Sequence, residues 1–266
     1  MIVLLLFGIV LLCIAVSFDG RPQIFFAIKE LLKRILYFYW MQLQIKINDN
    51  LFLHDPQETE LGKNLLKHSI LLIYKNGLED LTFKKLAVAT RTTEASVYRY
   101  FENKHRLLTY LVSWYWGWLD YQIRFVTNNV RKPEVKLKRI IRLLATPVKD
   151  DLSTSYVNER LLHEIVVEQG AKAYLTKQVA QDNKLEIFKP YMDLCSRISD
   201  VILECNPSYK YSRSLSSTII EVAHTQKFFK RNLPSLTDFG ETGGESKIIA
   251  FLEDIVFNNL VHGDKE

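Results

Sequence analysis

The sequence predicts an all-α protein in which a helix-turn-helix unit is followed by a larger helical domain. Three observations lead to this fold class. The 266 residues include only 10 glycines and 7 prolines, so long segments contain neither. Apolar residues recur at helical spacing within these segments. The glycines and prolines fall where such helices would end, whereas an all-β fold would need more frequent turns.

The composition is that of an ordinary globular chain. The apolar fraction is 48% and the charged fraction 24%, which excludes a disordered class, and the length allows one or two domains. A net charge of +5 is compatible with nucleic acid or anionic lipid and does not decide between them. The three cysteines form no CxxC pair, so reduced thiols are expected, with a redox sensor built on Cys195 and Cys205 as the alternative.

Residues 1–55 are predicted to be an apolar N-terminal extension. Ile2 to Phe18 is an uncharged run of 17 residues, at the short limit for a membrane span, and no basic residue precedes it as in a secretory signal. Ile24 to Trp40 is typical of an amphipathic interfacial helix. Three interpretations of residues 1–40 stay open: an over-extended translation start, a membrane anchor or a buried packing helix. We expect a cytoplasmic protein, which the anchor would hold at the inner face of the membrane.

Residues 56–108 carry the signals of consecutive short helices. Apolar spacing predicts a first helix from Pro56 to Lys75 that stops at Gly77. Thr82 is predicted to cap a second helix, Phe83 to Ala89, because its hydroxyl can accept a hydrogen bond from a first-turn N–H group.

A third helix follows the turn Thr90-Arg91-Thr92. Thr93 is expected to cap it, and Val97 and Phe101 face inward at i and i+4. The outward side chains are Thr93, Glu94, Ser96, Tyr98, Arg99 and Tyr100. Hydroxyls suit phosphate oxygens and an arginine reaches guanine or phosphate, so this helix is predicted to enter the major groove of DNA. Asn103 then caps a fourth helix from Lys104, whose N-terminus is a natural phosphate contact.

Four short motifs occur together in this region. They are Tyr74-Lys75-Asn76-Gly77, Leu81-Thr82, Thr93-x-x-Ser96-Val97-Tyr98-x-Tyr100-Phe101 and Asn103-Lys104-x-x-Leu107-Leu108. Through them, residues 57–108 resemble the DNA-binding domain of tetracycline-repressor-type (TetR) transcription regulators. The resemblance implies that Thr82 is a phosphate-contacting N-cap. It also implies DNA contacts by Thr93, Ser96, Tyr98, Tyr100 and Lys104.

Two departures from the family pattern concern Arg91 and Glu94. The family usually has glycine in the turn, so Arg91 needs a different backbone there or itself touches phosphate. The family often has Lys-Gly where this chain has Glu94-Ala95, and Glu94 would repel phosphates but can accept from a cytosine amino group. The region holds nine Lys and Arg against six Asp and Glu, so affinity is expected to need a dimer. The alternative is a helical hairpin in which Tyr98 and Tyr100 only pack.

Residues 109–266 are predicted to form a helical regulatory and dimerisation domain. The fourth helix continues to about Asn128 and carries one stripe of aromatic side chains: Trp114, Trp118, Tyr121 and Phe125. The stripe is interpreted either as core or as the lining of a ligand pocket. Further helices are predicted at about 133–147, 150–169, 171–183, 185–205, 210–231 and 246–262.

The last two helices carry apolar stripes that are expected to need a partner. These are Leu215, Ile219, Val222 and Phe229, then Ile248, Phe251, Leu252, Ile255 and Val256. A stripe too wide to be buried within one chain is covered by a second copy. The TetR resemblance implies a homodimer in which these helices form a four-helix bundle.

Enzymatic function is disfavoured, because the sequence has no Walker loop and no GxGxxG, GxSxG or HExxH motif. No cofactor is predicted. His163, Glu164 and Glu168 lack a second anchor for a metal ion and are interpreted as a solvated charged face.

We therefore expect a sequence-specific DNA-binding transcription regulator. The resemblance implies a ligand-responsive repressor that acts as a homodimer on a near-palindromic operator, with double-stranded DNA and a small-molecule effector as partners. The alternative is a membrane-associated helical protein-interaction module, anchored through residues 1–40.

Overall fold

The computed structural model describes residues 44–150, 154–240 and 244–262, and all regular structure within them is helical. This confirms the predicted all-α class. The helices are α1 Glu60–Asp80, α2 Phe83–Ala89, α3 Glu94–Tyr98, α4 Lys104–Thr127, α5 Pro133–Ala145, α6 Glu159–Gln169, α7 Ala171–Tyr174, α8 Val179–Lys184, α9 Lys189–Cys205, α10 Ser212–Asn232 and α11 Gly244–His262. The single helix expected at 171–183 is instead two short ones, α7 and α8.

Helix α1 begins at a capped N-terminus and is interrupted near its end. The amide of Gly62 donates to Thr59 Oγ1 at 2.9 Å, which satisfies one of the free first-turn donors. Gly77 then has φ 80° and ψ 164°, a backbone conformation that would be strained for a residue with a side chain. Regular helical geometry therefore breaks at the predicted stop, although α1 is bounded at Asp80.

Helix α4 is the central element. Its side chains are buried along most of its length, because α5, α6 and α9 pack around it. It begins beside the short helices α2 and α3 and continues for 24 residues into the larger helical region. Among the described residues, those from 45 to 150 and from 155 onward form one compact unit. The division into domains at residues 56–108 and 109–266 stays a proposal.

The apolar stripes of α10 and α11 are covered largely within the chain. Leu215, Ile219, Ile248, Leu252 and Val256 are buried, and the two helices pack against each other and against α5. The expectation that these stripes are too wide for one chain is therefore wrong for most of their residues. Phe251 is exposed, and homodimer formation stays a prediction.

The predicted N-terminal membrane or interfacial segment, residues 1–40, lies outside the described residues. Across the described part of the chain, no helix is long and apolar enough to cross a membrane. The thiols of Cys195 and Cys205 on α9 are free, and burial raises the pKa of each to about 11. That shift disfavours the reactive thiolate, which weakens the redox-sensor alternative.

Candidate nucleic-acid interface and ligand cavity

Helices α2 and α3 form a helix-turn-helix whose caps lie where the sequence places them. The amide of Lys85 donates to Thr82 Oγ1 at 3.2 Å, and the amide of Ser96 donates to Thr93 Oγ1 at the same distance. In α4 the amide of Arg106 donates to Asn103 Oδ1 at 2.9 Å. Each cap fixes where its helix starts and which side chains the first turn presents.

The turn between α2 and α3 keeps a left-handed residue without glycine. Arg91 has φ +55°, a conformation that costs a non-glycine residue about 1 kcal/mol or more. The turn amides stay satisfied, since the amide of Arg91 donates to Val88 O and that of Thr92 to Ala87 O. Arg91 thus adopts a left-handed conformation of the kind that glycine favours, and its side chain is exposed.

The outer face of α3 is polar and open. Thr93, Glu94 and Arg99 are exposed, whereas Val97 and Phe101 are buried as predicted. Ser96 is half-buried, and its Oγ lies 2.9 Å from Thr93 Oγ1. Helix α3 therefore offers its outer side chains to solvent while one side of it is fixed in the core.

Tyr98 combines a fixed ring with a free hydroxyl. Its ring packs edge-on against Phe83, with centroids 4.8 Å apart, and the residue is 49% exposed. This contact holds the side chain in place before anything binds. The hydroxyl is therefore positioned as a hydrogen-bond donor at the surface.

The outward placement expected for Tyr100 is wrong, because this residue is only 7% exposed. Helix α3 ends at Tyr98, so the chain turns and Tyr100 points back toward α1. Its hydroxyl lies 2.8 Å from Thr59 Oγ1, and its ring centroid is 5.4 Å from that of His54. Tyr100 joins the end of α3 to the cap of α1, and its DNA contact stays a prediction.

Lys104 also has a partner inside the chain. Its Nζ donates to the carbonyl oxygens of Leu78 at 3.2 Å and Glu79 at 3.1 Å. These carbonyls belong to the last turn of α1, where a cation satisfies free acceptors. Lys104 therefore connects α1 to α4 here, and contact with phosphate would require this side chain to move or share its donors.

Sequence reasoning missed one candidate in the same face. Lys84 lies in the first turn of α2, two residues after the capping Thr82, and is exposed. The next lysine, Lys85, donates to the carbonyl oxygen and carboxylate of Asp80. A lysine just after a capping hydroxyl is the signal that identifies Lys84.

The aromatic stripe of α4 is divided between the core and the surface. Trp114 and Trp118 are buried, but Tyr121 is 41% exposed and Phe125 is 71% exposed. The first two contribute to the core, as one of the two interpretations had it. The indole nitrogen of Trp118 is buried and has no hydrogen-bond partner among the described residues. Ligand binding by these four residues stays a prediction.

A buried polar cluster lies next to this stripe, where α4, α6 and α10 meet. The hydroxyl of Tyr115 is 2.7 Å from His163 Nδ1, and the ring of His224 stacks on Trp116. Burial lowers the pKa of His163 well below its usual value and that of His224 to about 3, so both imidazoles are neutral. His163 is therefore not part of a solvated charged face.

His163 also forms part of the wall of a cavity of about 240 Å³. The cavity lies among the end of α5, helix α6, the end of α10 and the start of α11. Its apolar wall is formed by Ala145, Pro147, Val148, Val167, Phe228 and Ile248. Its polar wall has four cationic side chains and two acidic ones, Arg160, Lys227, Lys230 and Arg231 against Glu164 and Glu245.

The charged groups around the cavity are unevenly paired. Arg231 binds both Glu164 and Glu168. These two carboxylates belong to the charged face expected from the sequence, and here they share one arginine from α10. Lys227 donates to Thr146 O at 2.9 Å, and burial lowers its pKa to about 8 against the opposing effect of Glu245. The cavity therefore has an excess of positive charge.

Helix α6 connects this cavity to α1. Past the cavity, Gln169 Oε1 accepts a hydrogen bond from the amide of Leu78 at 3.0 Å. Lys172 then binds the carboxylate of Glu79 at 3.0 Å, and this ion pair lowers the pKa of Glu79. The same end of α1 accepts hydrogen bonds from Lys104. A shift of α6 would thus displace the end of α1, which lies next to the helix-turn-helix in the chain.

Among the described residues, no group of three or more His, Cys, Asp or Glu side chains is arranged to hold a metal ion.

One family model matches part of the chain. Residues 65–111 match the family model described as bacterial regulatory proteins, tetR family. The resemblance stated for residues 57–108 is thereby confirmed over residues 65–108. Among proteins of curated function, none matches the chain as a significant relative.

Three solved structures share the fold. AibR in complex with isovaleryl coenzyme A and operator DNA has 14% identity and a TM-score of 0.52, over 74% of this chain and 98% of that chain. A transcriptional regulator from Rhodococcus sp. Rha1 has 10% identity and a TM-score of 0.53, over 76% and 97%. The superantigen PfiT has 15% identity and a TM-score of 0.51, over 80% and 100%. At these identities the likeness shows the fold alone.

Proposed function

Because residues 65–111 belong to the tetR family of bacterial regulatory proteins, we propose that the chain is a ligand-responsive repressor that binds a near-palindromic operator as a homodimer. Transcription regulation by DNA binding is the function of that family. The repressing direction, the dimer and the identity of the DNA-contacting residues are our proposals.

The observation that carries the proposal is the exposed face of α3. Thr93, Glu94, Tyr98 and Arg99 are exposed on a helix that Val97 anchors in the core. Two hydroxyls that donate or accept, a donor arginine and an acceptor carboxylate suit both phosphate positioning and base readout in the major groove. Arg91 and Lys84 extend this polar surface on either side.

The homodimer is supported by the limited charge of one copy. Nine cationic against six acidic residues over 57–108 supply little attraction to DNA, so two copies are needed for useful affinity. A two-fold dimer would place the two α3 helices in successive major grooves, about 34–36 Å apart. We propose that α10 and α11 form the interface, with Phe251 among the side chains they bury.

Ligand control is supported by the cavity and by the reach of α6. A ligand that binds one arrangement of α6 better than another would shift the balance between two spacings of the α3 helices. The position of α1 would follow, because Gln169 and Lys172 bind Leu78 and Glu79. The structural neighbour AibR was solved in complex with both isovaleryl coenzyme A and operator DNA, so this architecture is compatible with a ligand and DNA on one chain.

Selection of bound DNA from a random pool with the full chain tests the proposal. We expect an enriched near-palindrome, and binding that weakens steeply as salt rises because phosphate contacts release counterions. Absence of binding at low salt would remove the DNA-binding function. Enrichment of a single half-site without its repeat would remove the homodimer.

A second selection with altered α3 helices tests the division of labour. Glu94→Gln and Ser96→Ala should change the preferred bases, because we propose that these side chains face base edges in the major groove. Lys84→Ala should weaken binding to all sequences alike, since phosphate contacts position the protein without specifying sequence. An unchanged motif for both α3 variants would show that another helix reads the bases.

A further inference from the structure

We propose that the cavity among α5, α6, α10 and α11 binds a small amphipathic anion, with Lys227 as the anchor for its charged group. The ligand is a carboxylate or phosphate monoester attached to a short hydrocarbon chain. The claim that this ligand is the effector rests on the proposed function. The claim that it binds the cavity is independent of that function.

The balance of charge around the cavity favours an anion. Of the four cationic side chains in its wall, only Arg231 is bound by acidic groups. Arg160, Lys227 and Lys230 form no ion pair within the described residues. Lys227 and Lys230 are three apart on α10 and so share a helix face. An anion entering the cavity would meet cations that are not already neutralised.

The position of Lys227 makes it the anchor. It is half-buried, and its one hydrogen-bond partner among the described residues is the carbonyl oxygen of Thr146 at 2.9 Å. A cation that loses water without gaining an ion pair is costly, and a bound anion removes that cost. The same burial lowers the pKa of Lys227, and Glu245 offsets only part of that shift.

The remaining wall of the cavity suits a short hydrocarbon chain. Six apolar side chains share with the cations the wall of a cavity of about 240 Å³. At about 30 Å³ per water molecule, this space holds roughly eight water-sized groups. It therefore suits a six-carbon acid or its phosphate analogue and is too small for most drug-sized ligands.

Calorimetric titration of the full chain at pH 7 tests the inference with four ligands of one chain length. They are hexanoate, hexyl phosphate, hexanol and hexylamine. We expect at least one anion to bind at least tenfold more tightly than hexanol, and hexylamine to bind least. The two anions distinguish a carboxylate site from a phosphate site. Equal affinities for hexanol and both anions would overturn the inference.

Substitution of the anchor gives the second arm. Lys227→Met keeps an unbranched side chain, one atom shorter and uncharged, and should lose the preference for the anion over hexanol, whereas Lys227→Arg should retain it. Lys177→Met removes an exposed lysine elsewhere and should change nothing. Circular dichroism checks that each variant is folded. A Lys227→Met variant that binds the anion as wild type does would overturn the inference.

Measuring DNA affinity with and without the bound anion separates the two levels of proposal. Anion binding that changes DNA affinity supports the site and its effector role together. Anion binding with no change in DNA affinity overturns the effector role and leaves the site standing. DNA binding in a chain that takes neither anion overturns the inference and leaves the proposed regulator intact.

Discussion

The face of α3 and the cavity beside α6 are built in opposite ways. The face is formed by residues 82–99, which are contiguous in the chain, and its polar side chains lie in solvent. The cavity is assembled from residues 145–148, 160–167, 227–231 and 245–248. Its wall includes buried, neutral His163 and half-buried Lys227, while Arg160, Arg231 and Glu245 are exposed. One region depends on local chain geometry and the other on tertiary packing.

The two regions therefore differ in the desolvation cost that the folded chain carries before anything binds. Exposed polar groups on α3 keep their hydration and cost little before DNA arrives. The cation of Lys227 has lost part of its hydration, and the charge of Glu245 offsets only part of that loss. We expect substitutions in the cavity to change stability and substitutions on α3 to change DNA affinity.

The largest effect is expected from Lys227→Met. Burial lowers the pKa of Lys227 to about 8 from its usual 10.5, so below pH 8 the folded chain carries a cation that has lost hydration. Methionine removes this desolvation cost but leaves the carbonyl of Thr146 without its donor. We expect a net gain of about 1–2 kcal/mol in the free energy of unfolding at pH 7.

The gain should depend on pH. Because the folded pKa is depressed, wild-type stability rises as pH increases from about 8 toward 10.5, and the advantage of Lys227→Met shrinks over that window. The other charged groups of the cavity are Arg160, Lys230, Arg231, Glu164 and Glu245, and buried His163 is neutral. Urea unfolding at pH 7 and pH 10 measures the effect. A less stable variant at pH 7 would break the comparison.

The second prediction concerns Tyr98→Phe on α3. This change removes a hydroxyl and keeps the ring on Phe83, so stability should stay within about 0.5 kcal/mol. A hydrogen bond to a charged phosphate contributes about 1.5 kcal/mol or more, so DNA affinity should fall at least tenfold. Fluorescence anisotropy with the selected operator measures it. Tyr211→Phe, another exposed tyrosine, is the control, and equal losses in both variants would contradict the assignment.

The third prediction joins the two regions through Gln169. Gln169→Ala removes the acceptor of the Leu78 amide, a hydrogen bond that contributes about 1 kcal/mol. The change in DNA affinity caused by bound anion should shrink by about fivefold, while anion affinity itself stays near wild type. Gln169→Glu keeps an acceptor and should preserve most of the coupling. Full coupling in Gln169→Ala would show that α6 communicates with α1 by another route.

The contrast between the two regions also explains what the sequence could predict. The caps Thr82, Thr93 and Asn103 depend on residues three positions away, and the burial of Val97 and Phe101 follows from an i, i+4 spacing. Such local rules can be read from one chain. Tyr100 was misplaced because α3 ends at Tyr98, and no pattern marks that end.

The cavity could not be predicted in the same way. Lys227 is an ordinary lysine in the sequence, and only the packing of α10 against α5 and α6 brings it beside Thr146 and Arg160. The pairing of Arg231 with Glu164 and Glu168 likewise joins residues more than sixty positions apart. The ligand prediction rested on the aromatic stripe of α4, which includes Trp114 and Phe125. The wall of this cavity is formed by other helices.

The smallest effect is expected at Arg91, where the two kinds of cost meet in one residue. Its φ of +55° strains an arginine, so Arg91→Gly should relieve local strain while adding freedom to the unfolded chain. These two effects oppose each other, and we expect a net gain of only about 0.5 kcal/mol in the free energy of unfolding.

The same substitution should lower DNA affinity if the guanidinium binds phosphate, and the dependence of affinity on salt should become shallower. Arg91→Lys keeps the charge and separates the contact from the backbone, so a loss of affinity in Arg91→Gly that Arg91→Lys fully restores assigns the contact to charge. Unchanged affinity and salt dependence in Arg91→Gly would leave the strained turn without a role in DNA binding.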